Sequence, residues 1–216
     1  MYVSIFEMFS IGLGPSSSHT IGPMKCAYDF IQKYALSFKD ANQIYVNLYG
    51  SLALTGKGHN TDKAVILGLL GHTPEAIDPA LADELFEQCK RDTTLQIDGE
   101  TFDFAYDKNL LFHYTKCLPY HANGIIFTLK KDGEEIKSQD YYSIGGGFFV
   151  HGADAPSELE TDEQNIAHHF DNAHELIELA SQENKTIATL LFENELCLRS
   201  ESEIKEGILH IWQVMN

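Results

Sequence analysis

The chain has 216 residues, enough to bury a substantial core in one domain or one and a half. Fifteen lysines and arginines against 32 aspartates and glutamates leave a formal charge of −17, which argues against nucleic acid or an anionic membrane surface as partner, because both need clustered cations. No stretch approaches the length of a membrane span, and Met1 to Met8 carries Glu7 without the basic and long apolar runs of a secretory signal, so a cytoplasmic protein is expected.

The first informative segment is Gly14-Pro15-Ser16-Ser17-Ser18-His19-Thr20-Ile21-Gly22-Pro23, with three consecutive hydroxyls, an imidazole and a fourth hydroxyl between two Gly/Pro turns. After it Met24, Ala27, Tyr28 and Ile31 recur at helical spacing, and Pro23 suits a first helical position because its missing N–H would be unpaired there. The hydroxyls are expected at or just before a helix N-terminus, where open N–H groups and the helix dipole favour a carboxylate or phosphate. One serine there would be an N-cap. Three serines with a histidine suggest a cradle for a small anion.

Ile44, Val46 and Leu48 alternate with Tyr45, Asn47 and Tyr49, which predicts a strand over 43–49 running into Gly50. The next segment, Gly50-Ser51-Leu52-Ala53-Leu54-Thr55-Gly56-Lys57-Gly58-His59-Asn60-Thr61-Asp62, is not a P-loop: five residues, not four, separate Gly50 from Gly56, and Gly58 replaces the hydroxyl residue expected after Lys57. It reads as a strand end, a glycine-rich turn, a lysine and a histidine at a helix start. Glycines let the backbone approach a ligand closely, and His59 could act there as a general base; alone it would read as a loop histidine capping a turn.

Helices are predicted over Thr61 to Leu70, stopped by Gly71, and over Pro79 to Cys89, capped by Asp78. Thr94 to Ile97, an Asp98-Gly99 turn, and alternating Phe102, Phe104 and Tyr106 predict a hairpin, followed by a strand over Leu110 to Thr115. Pro119-Tyr120-His121-Ala122-Asn123-Gly124 reads as a turn. Ile125 to Leu129, the Lys131-Asp132-Gly133 turn and Tyr141 to Val150 supply more strands, the last interrupted by Gly145-Gly146-Gly147, a sign of a bulge, a hinge or a close backbone approach.

From His151 to about Asp162 the chain turns Gly-, Pro-, Ser- and acid-rich, the expected linker. Three amphipathic segments follow: His174, Leu176, Ile177, Leu179 and Ala180; Ile187, Leu190, Leu191 and Leu198; and Ile204, Ile208, Ile211 and Met215. The last ends at Asn216 inside an apolar pattern, so a longer native chain is expected. His168 and His169 have no ligand partners at a recognisable spacing and read as surface residues. Cys26, Cys89, Cys117 and Cys197 are scattered without a CxxC pair, so reduced thiols are expected and no metal site is encoded locally.

In this order, GPSSSHTIGP, LYGSLALTGKGHNTD, HANG and YYSIGGGFF resemble the N-terminal, or beta, domain of the bacterial iron-sulfur L-serine dehydratases. Ala122 stands where that family usually has proline, and Ile125 where methionine is common. The tail, with Phe192-Glu193-Asn194-Glu195 and Ile211-Trp212-Gln213-Val214-Met215, resembles the start of the family's catalytic, or alpha, domain in its single-chain form. The resemblance implies an α+β fold, a mixed sheet with helices similar to the allosteric substrate-binding domain of phosphoglycerate dehydrogenases, followed by a short all-α segment. It implies a beta domain over residues 1–152, a linker over 153–163 and the truncated helical start of the alpha domain over 164–216.

The implied chemistry is a lyase reaction of amino-acid catabolism, feeding gluconeogenesis: dehydration of L-serine to aminoacrylate and then to pyruvate and ammonia. The implied cofactor is a four-iron, four-sulfur cluster whose cysteines lie in the missing alpha domain, with none in this chain, and the implied assembly is a homodimer. His59 is expected as the base removing the α-proton, with His19 as second catalytic histidine. Ser16, Ser17, Ser18 and Thr20 would cradle the substrate carboxylate, Ser51 and Lys57 would orient the loop, and His121 and Asn123 would add polar contacts. A non-catalytic module that binds a small acid for regulation is the alternative, and the same serines and glycines would serve it.

Overall fold

The computed structural model describes residues 2–152 and 166–216. These form two compact units, one made of residues 12–152 and the other of residues 2–11 with 166–216. The sequence assigns the N-terminal residues to the first domain; the contacts group residues 2–11 with the C-terminal helices. The expected linker, 153–163, lies outside the described residues, and His151, where the linker-like composition begins, ends a strand.

The larger unit is built on a mixed sheet of seven strands: β1 (Gln43–Tyr49), β2 (Thr94–Ile97), β3 (Glu100–Asp103), β4 (Leu110–His113), β5 (Asn123–Lys131), β6 (Glu134–Gly145) and β7 (Phe148–His151). Their order is β2-β3-β1-β5-β6-β7, and β4 also pairs with β1. Both β3 and β4 run parallel to β1, meeting it at Gln43↔Asp103 and over Val46↔Leu110 to Tyr49↔His113, while β5 lies antiparallel on its other side. The period-2 alternation of β1 puts Ile44, Val46 and Leu48 on one face, all fully buried.

That face is covered by the helices Gly22–Lys33 and Thr61–Leu69. Phe30 stacks on Phe127 and meets Tyr141 edge-on, and Val65, Ile66 and Leu69 close the core, where each fully buried apolar side chain contributes about 1.5–3 kcal/mol. The two helices approach closely because residue 68 is glycine: a Cβ there would lie 2.3 Å from the Met24 carbonyl oxygen. A further helix, Pro79–Arg91, is capped by Asp78, whose carboxylate accepts from the Ala80 and Leu81 N–H groups, as the sequence predicts.

Several local expectations change. Tyr106 does not continue the hairpin: it opens a short helix, Tyr106–Asn109, because Asn109 turns back to accept from Ala105 N–H and donate to the Ile44 carbonyl. The strand expected to Thr115 stops at His113. Tyr141 to Val150 is two strands, since Gly145, Gly146 and Gly147 all take positive φ and turn β6 into β7. The turn expected after Tyr49 is instead a helix, Gly50–Thr55, followed by a 3₁₀ turn, Gly56–His59.

In the smaller unit the three expected amphipathic segments are helices Ala173–Gln182, Ile187–Leu198 and Glu201–Met215, started by side-chain caps from Asn172, Thr186 and Ser200. Glu195, 2% exposed, binds the N-terminal residues: Tyr2 Oη and Ile5 N–H donate to Oε1 at 2.7 and 2.9 Å, Ser4 Oγ donates to Oε2 at 3.1 Å, and Arg199 pairs with Oε2. His168 is buried, correcting its reading as a surface residue; Asn194 brackets its backbone with two hydrogen bonds, and Glu183 and Glu193 contact its ring. His169 is exposed, as expected. Among the described residues no helix is long and apolar enough to cross a membrane.

Candidate active site

Pro23 does not begin its helix. Ser17–Ile21 forms a π-turn that runs directly into the helix Gly22–Lys33, with Ser16 in extended backbone as its N-cap. Ser17 and Ser18 therefore lie within the first helical turns, with Ser16 just ahead of them. No side chain caps this start, and the opening N–H groups of such a turn have no intrahelical acceptor. Because Pro23 has no N–H, it cannot serve the Ser18 carbonyl as a π-type partner or the His19 carbonyl as an α-type partner. Both carbonyls accept hydroxyls instead: Ser143 Oγ donates to Ser18 O at 2.7 Å, and Thr61 Oγ1 to His19 O at 2.6 Å.

Four sequence motifs meet here. His19 Nε2 is 2.9 Å from Ser51 Oγ in the Gly50–Thr55 helix, and its Nδ1 is 2.9 Å from Ser18 Oγ, which lies 3.3 Å from Ser16 Oγ. The His59 ring stands 5.0 Å from that of His19, tilted by 41°. Thr20 Oγ1 donates to the His59 carbonyl at 2.8 Å. Ser51 N–H donates to the Ala122 carbonyl at 2.9 Å, and Asn123 Nδ2 donates to the Ser143 carbonyl at 3.0 Å, so the His121–Gly124 turn and the β6 end close the ring of contacts. His121 Nδ1 accepts from Asn123 N–H.

The two histidines are held differently. His59 Nδ1 lies 3.0 Å from the Thr55 carbonyl, an acceptor, so Nδ1 is the donor there and Nε2 is the nitrogen left to accept a proton in the neutral ring. Both ring nitrogens of His19 are engaged by hydroxyls, and its pKa is lowered by desolvation and by the neighbouring His59, against a raising contribution from Ser51. A neutral His19 beside an acceptor-bearing His59 is an arrangement suited to proton transfer.

Not every expected residue joins the cluster. Lys57 lies over the Phe112 ring, its Nζ 5.3 Å from the centroid, and makes no hydrogen bond to the serine turn. Ser17 has a hydroxyl with no protein partner among the described residues, whereas the Thr20 hydroxyl is buried and committed to the His59 carbonyl. Sequence reading missed Thr61, fully buried, and Ser143, also fully buried; each carries an ordinary hydroxyl within a quoted motif but gains its meaning from a partner more than 40 residues away. It also missed Asp62, whose buried carboxylate accepts from Tyr106 Oη.

The chain's cysteines do not fit an iron-sulfur cluster. Cys26 and Cys89 are packed into the core, where burial pushes the first thiol well up and the second up to about 12, the nearby Asp92 adding to the latter; cluster ligation needs thiolates gathered at one place. Cys117 and Cys197 are exposed and isolated. Among the described residues the one trio with metal-ligand atoms close together is His168, Glu183 and Glu193, and Lys185 already pairs with both carboxylates at 2.8 Å.

Residues 4–154 match the family described as serine dehydratase beta chain. Over 220 residues the chain is 41% identical to an L-serine dehydratase of Streptomyces coelicolor, covering 100% of this chain and 48% of that protein. It is 41% identical over 219 residues to the L-serine dehydratase TdcG of Escherichia coli, covering 99% of this chain and 48% of the relative. A Helicobacter pylori L-serine dehydratase is 34% identical over 203 residues, 93% of this chain and 44% of its own length. The chain thus spans about half the length of the curated relatives it matches.

Proposed function

The chain belongs to the serine dehydratase beta chain family, and we propose that it supplies the substrate-closing domain and the base of an L-serine dehydratase. The observation that carries this is the His19–His59 pair: His59 presents Nε2 as a proton acceptor while its other nitrogen is fixed by the Thr55 carbonyl. Removing the α-proton of an amino acid requires such an acceptor, positioned next to donors for the substrate carboxylate.

Ser17, with its uncommitted hydroxyl, and the opening N–H groups of the π-turn supply those donors, together with Ser16 and Ser18. Ser51 and Ser18 hold His19, the second histidine of the site, in a fixed orientation. His121 and Asn123 shape the turn whose Ala122 carbonyl accepts from the Ser51 N–H; Lys57 stays at the edge of the site. In this reading a four-iron, four-sulfur cluster held by cysteines beyond this chain supplies Lewis-acid activation of the leaving hydroxyl.

The test compares this 216-residue chain with a chain extended to the length of its relatives, after anaerobic reconstitution with iron and sulfide, for pyruvate formation from L-serine. Activity only in the longer protein supports the reading. An intact cluster without activity in the longer protein overturns it and leaves binding of a small acid as the function of the site.

A further inference from the structure

We infer that Thr61, Thr20 and Ser143 are positioning residues, which fix the separation of the His19 and His59 imidazoles by hydrogen-bonding the backbone carbonyls beside them. The catalytic consequence rests on the reading of this pair as the reactive groups, whereas the geometry does not. Each hydroxyl is buried: Thr61 and Ser143 are 0% exposed and Thr20 is 3% exposed. The bonds are short, 2.6, 2.7 and 2.8 Å, and each crosses between segments distant in sequence.

The two threonine bonds are reciprocal. Thr20, next to His19, donates to the carbonyl of His59; Thr61, two residues after His59, donates to the carbonyl of His19. Asn60, between His59 and Thr61, takes the left-handed conformation, φ +57, which turns the chain sharply from the 3₁₀ turn into the helix Thr61–Leu69. Neither histidine-bearing turn can slide past the other without stranding a buried hydroxyl and a carbonyl. Pro23 makes the demand on the first turn, since it withholds the backbone donor that a regular helix would give to Ser18 or His19. Ser143 then anchors the same turn to the sheet, and a Cβ on Gly22 would sit 2.1 Å from Ser143 Oγ, so residue 22 must remain small for the bond to form.

Burial is the larger cause that lowers the His19 pKa, and the charge of His59 is the other, so the His19 titration responds both to the withdrawal of the pair from water and to the separation of its rings. The experiment follows both imidazoles by NMR against pH in the 216-residue chain, as wild type, Thr61→Val, Thr61→Ser and Thr20→Val. In the valine variants the His19 titration moves back toward the ordinary histidine value; serine, which retains the hydroxyl, keeps the wild-type curve. Because the two threonines belong to different elements, one variant remains informative if the other fails to fold. An unchanged His19 curve in a folded valine variant overturns the inference. In the enzyme extended to the length of its relatives, Thr61→Val should lower kcat about 10²-fold with little change in KM. A shifted titration with unchanged kcat keeps the brace and removes the pair from catalysis, so failure of the brace and failure of the functional reading give different results.

Discussion

His59 and His168 are both partly or fully withdrawn from solvent, yet their surroundings assign them opposite roles. His59 stands beside a second imidazole, with one nitrogen tied to the Thr55 carbonyl and the other open to accept a proton. His168 lies between Glu193, at its Nε2, and Glu183, 3.4 Å from its Nδ1, and Lys185 closes the group against both acids. Hydrogen bonds from Lys185 and His168 hold the Glu193 carboxyl below its usual range. An imidazole set between carboxylates serves to tie helices together; one beside a backbone carbonyl and a second, uncharged imidazole can exchange a proton. The residue type is the same, and the charge of its neighbours decides its use.

The largest effect expected from breaking this contrast is on turnover. His59→Ala in the enzyme extended to the length of its relatives should lower kcat by about 10²–10⁴-fold, the usual contribution of a general base. His168→Ala should instead lower the denaturation midpoint and leave the pH profile of turnover in place. If His59→Ala turns over near wild type while His19→Ala abolishes activity, the base has been assigned to the wrong ring. If His168→Ala matches the loss from His59→Ala, the contrast itself is wrong.

Next in size is a stability effect confined to the helical unit. Glu195 is 2% exposed and satisfies Tyr2, Ser4, Ile5 and Arg199 together. Its removal leaves the Arg199 charge and three polar donors unmatched, and breaking such a buried pair costs about 3–5 kcal/mol. Glu195→Ala should therefore lower stability in a denaturant titration by about that amount. The His19 imidazole resonance should keep its titration curve, since the carboxylate has no part in the histidine pair.

Gly50→Ala sharpens the comparison from the other side, with a smaller cost. Gly50 has φ +55 and a Cβ there would lie 2.2 Å from the Ala122 carbonyl oxygen, which already accepts from Ser51 N–H. The strain of a side chain in this conformation is about 1–3 kcal/mol. Because the displaced carbonyl holds Ser51, the alanine variant should also loosen the Ser51–His19 bond. The expected result is a lowered denaturation midpoint together with a changed His19 titration, where Glu195→Ala changes the midpoint alone.

These sites differ in how far they could be read from the sequence. The alternation in β1, the Asp78 cap and the three C-terminal amphipathic helices are local patterns, and the structure reproduces them. The grouping of His19, Ser51 and His59 was legible because hydroxyls and imidazoles beside glycines are unusual as loop composition. What was not legible depends on distant partners. Nothing near His168 in sequence shows that Glu183 and Glu193 will enclose it, and nothing near Thr61 shows that Pro23 will leave the His19 turn short of a donor. The π-turn escaped for a related reason: its hydroxyl partners come from other elements, so no repeat within residues 17–21 marks it.

The smallest expected effect is on stability against pH, and its sign follows from His19. Desolvation first, and then the charge of His59, lower the His19 pKa in the folded protein. Unfolding therefore takes up a proton wherever pH lies between the folded and the ordinary histidine value, so stability falls as pH drops below about 6.5. His113 carries a shift of the same sign, from desolvation and Lys116, and adds to the slope. Denaturation midpoints measured from neutral to mildly acidic pH should decline for the wild type. His59→Gln removes the second cause but not the first, so its decline should be shallower without vanishing. An equal slope in the two proteins would mean that the rings do not sense each other's charge, and would break the pair that the hydroxyl braces are arranged to hold.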